Sequence, residues 1–201
     1  MREYTIQKIQ GSPKWNAIPV MPIDNHLWEH PVDITAQTQI CWDEDALYIR
    51  QEATEKHIRM EETGPMARVC HDSCLEFFFR PTQRMDYFNL EINPNGALHL
   101  GFGDCRENSI RLQPRDPQKL FHIQTRLTDT GWELTYQIPF TFIRRFFPEF
   151  KGEIGSKIYA NAYKCGDFTV RPHYMAWNPI EWFEPDFHRP EQFGCLTFGG
   201  K

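Results

Sequence analysis

Along most of this chain apolar and polar residues alternate with period two, the pattern of strands that bury one face. In LEFFFRP, Leu75, Phe77 and Phe79 share one side, and Glu76 and Phe78 share the other. YFNLEINP repeats the pattern, with Phe88, Leu90 and Ile92 opposed to Tyr87, Asn89 and Glu91. Pro94 and Gly96 of NPNG stand where a tight hairpin needs them, and ALHLGF resumes the alternation with Leu98, Leu100 and Phe102. Three consecutive antiparallel strands are expected there. TQICWD, ALYIRQEA, LFHIQTRL, WELTYQIP, KIYANAYK and FGCLTF alternate similarly. Roughly ten strands in one core imply two packed sheets. A single short helix is predicted in TFIRRFFPEF, preceded by Pro139 and ended by Pro148, with Phe142, Phe146 and Phe147 sealing one end of the sandwich. Gly166 to Phe193, rich in Pro, Trp, Phe and His, reads as irregular loop. The expected fold is all-β: a two-sheet antiparallel, jelly-roll-like β-sandwich forming one domain over residues 1–201.

Composition narrows the function. A chain of 201 residues is long enough to bury about 70% of its unfolded surface in one core. The net charge of -5 offers no basic footprint for phosphate backbones, so nucleic acid is not an expected partner. No apolar run approaches the roughly 18 residues of a membrane-spanning helix, so no membrane partner is expected. The opening MREYTIQKIQ lacks the apolar stretch of a secretory signal, which favours a cytoplasmic location unless a signal has been removed. The cysteines at 41, 70, 74, 105, 165 and 195 are spread over a chain larger than disulfide-dependent scaffolds and read as free thiols. Cys70, His71 and Cys74 are close together, but no second Cys or His pair follows at zinc spacing, so no metal site is expected.

The order of motifs adds a resemblance. IDNHLWEHPVDI, TQICWDEDALYIR, DSCLEFFF, YFNLEINPNG, GWELTYQIPF, KIYANAY and PEQFGCLTF occur in the order in which similar pieces occur in the family 9 carbohydrate-binding modules. The resemblance runs nearly end to end. It implies non-catalytic binding of a mono-, oligo- or polysaccharide, with the sugar held between aromatic rings and its hydroxyls fixed by polar side chains. Glu76 matches the family's binding carboxylate. The family's first clamp Trp falls at Val69 and Cys70, and its second at about Phe187. The family's Arg in the strand after Glu76 is replaced near Glu91. Some members bind calcium, whose ligands cannot be matched to this sequence; no other cofactor is expected.

The candidate ligand-binding residues are Glu76, Asn89, Glu91, Asn161, Tyr163, Trp177, Trp182 and Phe187. Glu76, Asn89 and Glu91 share a face if their strands pair, and Asn161 and Tyr163 alternate away from Ile158, Ala160 and Ala162. A carboxylate there can accept two hydroxyl hydrogens. Trp177, Trp182, Phe183 and Phe187 crowd a Pro-rich stretch suited either to stacking on a sugar face or to folding back as a lid. Trp42 and Trp132 are in phase with core positions and read as packing, while His173, His188 and Arg189 are left open. Catalysis is not expected. A sandwich glycosidase would need a carboxyl pair such as Glu76 with Glu91 or Glu181 with Glu184. A haem sandwich would draw on Met175, His173 or Lys164. A sandwich that mediates protein contacts is the other alternative, and the oligomeric state is left open.

Overall fold

The computed structural model describes residues 1–28 and 33–200. Glu29, His30, Pro31 and Val32 of the opening motif lie outside the described residues. The first strands are β1 (Glu3–Lys8), β2 (Met21–Ile23), β3 (Asn25–His26), β4 (Thr35–Trp42) and β5 (Ala46–Thr54). They are followed by β6 (Cys74–Arg80), β7 (Tyr87–Ile92), β8 (Leu98–Gly103) and β9 (Ile110–Arg111). Next come helix α1 (Pro117–Phe121), β10 (Gln124–Leu127), β11 (Gly131–Pro139) and helix α2 (Phe140–Ile143). The chain closes with β12 (Lys157–Gly166), β13 (His173–Ala176) and β14 (Gly194–Phe198). No helix among the described residues is long and apolar enough to cross a membrane.

The fold is all-β, a sandwich made from one curled, mixed sheet. β10, β11, β5 and β4 form one layer, with β2 added to β4. β14, β12, β6, β7, β8 and β9 form the other, and β13 and β3 extend it from β12. β1 joins the two: Glu3–Ile6 lie parallel to β14, and Gln7 and Lys8 parallel to β4. The expectation of a purely antiparallel sandwich is corrected by these two parallel pairings. Ile40, Ile49, Leu134 and Ile138 from one layer meet Leu75, Phe77, Leu90 and Leu100 from the other in one buried cluster. Trp42 and Trp132 belong to that cluster, as their phase predicts.

Local chemistry explains the departures from the expected elements. Asp116 accepts from the Lys119 N–H at 2.9 Å and Pro117 opens the first turn, so a helix forms and takes Leu120 and Phe121 from the strand expected at LFHIQTRL. His122, at φ 49°, then turns the chain into β10. The predicted helix is shorter than TFIRRFFPEF and starts one residue earlier, directly after Pro139. Phe142 and Phe147 are buried at that end of the core, with Phe146 packed against it. The stretch expected to be irregular contains β13, which pairs with both β12 and β3.

One feature of the layers positions the site. Every residue of β6 and β7 is buried, on both faces. Their inner faces pack in the sandwich core, and their outer faces are covered by two other segments of the chain. Ala67 and Val69 arrive from one, and Ile180, Phe187 and Phe193 from the other; they form a second apolar cluster with Phe78, Tyr87 and Tyr163. The second segment is tied down by a reciprocal amide pair. Asn161 Nδ2 donates to the Asn178 carbonyl at 2.9 Å, and the Asn178 N–H donates to Asn161 Oδ1 at 2.8 Å.

Candidate functional site

Between the covered strands and the segments over them lies a cavity of about 380 Å³. That volume is within the range of small-molecule sites, roughly 300 to 1,000 Å³. Register builds its floor. Glu76 on β6 stands between Glu91 on β7 and Tyr163 on β12, and Glu91 stands beside His99 on β8. One step along, Phe78 lies between Asn89 and Asn161. The alternation that puts Leu75 and Phe77 into the core therefore aims Glu76 and Phe78 at the cavity.

The wall is aromatic. The Phe187 ring lies flat on Tyr163, with centroids 4.1 Å apart and planes 7° apart, and Tyr163 Oη donates to the Phe187 carbonyl at 3.2 Å. Trp28 leans on Phe187 at 5.7 Å and meets Tyr174 edge-on at 5.8 Å. Its indole N–H donates to the Trp182 carbonyl at 2.8 Å. Trp28 has a positive φ of 52°, a backbone state that costs a bulky residue energy and is held here by these contacts. Trp28, Tyr174 and Phe187 all line the cavity, with Arg68, Arg106 and Arg111 among its polar edges.

Electrostatics on the floor is set by desolvation. Burial pushes the Glu76 carboxyl well above the usual carboxylate range, and the neighbouring Glu91 adds to the shift. Cys165 Sγ–H donates to Glu76 Oε1 at 2.8 Å, which opposes it. Asn89 Nδ2 donates to Glu91 Oε1 at 2.8 Å and so orients that carboxylate. At the far side, burial and the Arg106 charge lower His188 to about 4. Its Nδ1 lies 2.5 Å from Tyr87 Oη. A protonated Glu76 can donate as well as accept, so the floor offers both halves of a hydrogen bond to a hydroxyl group.

The candidate residues fall into three groups. Glu76, Glu91 and Phe187 line the cavity. Asn89 and Tyr163 lie directly behind it, fully buried, holding Glu91 and Phe187. Asn161, Trp177 and Trp182 do not line it. Asn161 is the anchor for Asn178, and the Trp177 indole packs in the sandwich core at 3% exposure, against Gly194. Trp182 is 38% exposed, with the Arg189 guanidinium 3.5 Å over its ring. Trp28, Phe78, His99 and Arg111 line the cavity without having been singled out from the sequence. Phe78 was legible as the partner of Glu76 on one face, and Trp28 stands in the opening motif; His99 and Arg111 carried no local signal. The residues named for other chemistries have other partners. Lys164 Nζ is 3.3 Å from Glu55 and 2.7 Å from His173 Nε2, Met175 is in the core, and Glu181 and Glu184 are on exposed loop.

Comparison with known proteins agrees with this architecture. The model of carbohydrate-binding family 9 matches residues 13–198. A protein of Bacteroides uniformis ATCC 8492, provisionally classed as carbohydrate-binding, superposes with a TM-score of 0.86 at 26% identity, over 98% of this chain and 99% of that one. A family 9 carbohydrate-binding module of Caldicellulosiruptor kristjanssonii in complex with cellotriose superposes with a TM-score of 0.68 at 13% identity, over 100% of this chain and 95% of that one. The glucose complex from the same organism gives 0.67 at 13% identity, over 100% and 97%. No functionally curated protein matches the chain. With the family model spanning the sandwich from before β2 to the last residue of β14, the chain belongs to carbohydrate-binding family 9.

Proposed function

We propose that this protein binds the end or a short stretch of a carbohydrate in the cavity, without transforming it. The observation that carries the reading is that the Phe187 and Trp28 rings, packed on each other at 5.7 Å, line the same cavity as the Glu76–Glu91 cross-strand pair. A pyranose is amphipathic in the same way: its C–H faces lose water against a ring, and its hydroxyls need fixed partners once desolvated. Phe187, braced by Tyr163, is the main stacking platform, and Trp28 and Tyr174 close the aromatic side. Glu76, Glu91, His99 and Arg111 receive the hydroxyl groups. The family membership and the glucose and cellotriose held by the two Caldicellulosiruptor complexes support a sugar of the same general kind.

Few contacts and a part-open site set a modest affinity, in the millimolar to micromolar range, or about 4 to 8 kcal/mol. Titration calorimetry with glucose and cellotriose tests the reading. Binding in that range is expected. Phe187→Ala removes the platform and Glu76→Gln a carboxyl partner, and each should weaken binding by about tenfold or more. Heat of binding that is absent for a panel of neutral sugars, or unchanged in both variants, contradicts the assignment.

A further inference from the structure

Beside Glu76, the cavity floor carries two thiols that sugar binding does not use. Cys74 Sγ, Cys165 Sγ and a carboxylate oxygen of Glu76 all lie within 4.8 Å of one another, and all three residues are buried. β6 and β12 create this arrangement: Cys74 pairs directly with Cys165 across the strands, and Glu76 is the next residue on the same face of β6. Glu76 and Cys165 open onto the cavity. A second group, Cys70, His71 and Asp167, meets the same spacing beside it. There the His71 ring is already stacked on Phe168 at 4.1 Å, with Nδ1 3.5 Å from Glu62.

We propose that Cys74, Cys165 and Glu76 form a binding site for a zinc-class divalent cation, reached through the cavity. Two sulfur ligands with one carboxylate are a donor set that selects zinc over calcium or magnesium, which take oxygen. Metal–sulfur bonds of about 2.3 Å and metal–oxygen bonds of about 2.1 Å put tetrahedral neighbours some 3.5 to 3.8 Å apart. The three atoms need shift by no more than about an ångström to enclose an ion at those lengths. On binding, the protons of the two S–H groups and any proton on the carboxyl pass to solvent, leaving two thiolates and a carboxylate as the metal bonds form. Three protein ligands leave a fourth position, on the cavity side, for a water molecule. The sequence hid this set because its two thiols come from strands far apart in the chain. The site stands independently of the sugar reading, although Glu76 belongs to both, so the two occupancies couple.

The test uses the full chain, reduced and stripped of metal by a chelator, and titrated with cobalt(II). The expected result is one equivalent bound, with a thiolate-to-cobalt charge-transfer band and the visible absorption of tetrahedral cobalt, both abolished by zinc. Cys74→Ser and Cys165→Ser should each weaken cobalt binding by at least about tenfold, while Cys70→Ser leaves the spectrum unchanged; circular dichroism checks that each variant is folded. Zinc-edge X-ray absorption on the loaded wild type gives a reading that needs no variant, with two sulfur neighbours at about 2.3 Å expected. Absence of a thiolate band, its survival in both serine variants, or a zinc shell of oxygen and nitrogen alone overturns the proposal.

Discussion

His188 shows how a single residue makes this site sensitive to pH. It lies in the segment that closes the cavity, in the cavity lining, and is hydrogen-bonded to Tyr87 Oη at 2.5 Å. Desolvation, aided by Arg106, depresses its folded value to about 4 from the usual 6.5. The unfolded chain therefore takes up a proton near pH 6.5 that the folded chain refuses until about pH 4. The stability this histidine lends is complete above pH 6.5 and disappears as pH falls through that window, a loss on the order of 3 kcal/mol. Urea unfolding at pH 7 and pH 4.5 should show a loss that is smaller in His188→Gln than in the wild type; an equal loss in both contradicts the assignment. At this scale the strand residues were the legible ones. Period two put Glu76 with Phe78 and Asn89 with Glu91, and the β6–β7 register brings the two pairs onto one face. The indoles outside the strands were not legible, because a loop composition cannot say which ring folds inward: Trp177 enters the core, Trp182 stays at the surface, and Trp28 closes the cavity.

The elements that matter most are β6, β7 and β8, whose pairing sets the floor. Asn89 faces Gly101 across the β7–β8 pair, and a Cβ at Gly101 would lie 2.1 Å from Asn89 Oδ1. Gly101 is therefore a steric requirement of the amide that orients Glu91. Gly101→Ala should cost about 1 to 3 kcal/mol, as overpacking does, and weaken sugar binding by displacing Asn89. Thermal unfolding together with a sugar titration checks both; a variant equal to wild type in stability and affinity contradicts this role. The β6–β8 meander was legible because alternation, NPNG and a tight turn agree with one another. β1 and β3 were not, since a short strand that pairs with distant partners carries little periodic signal of its own. Tyr4 and Ile6 alternate in β1, but its parallel partners lie at the other end of the chain and across the sandwich.

At the scale of the whole molecule, the late segment and the residues around Val69 bury the outer face of a sheet that would otherwise meet water. The Asn161–Asn178 amide pair and the Tyr163–Phe187 stack fix the late segment in place. The cavity is the space that this cover leaves over Glu76 and Glu91. Its existence follows from which distant segments meet, so the sequence could suggest a sugar site through Glu76 and Phe187 but not its depth, its arginine edge or its thiols. The most direct measurement is a heteronuclear NMR titration of the indole N–H signals with glucose or cellotriose. Saturating sugar should move the Trp28 signal, with those of Trp42 and Trp132, buried in the core, staying in place. A Trp28 signal that does not move, or shifts confined to indoles remote from the cavity, would contradict the assignment of the cavity as the sugar site.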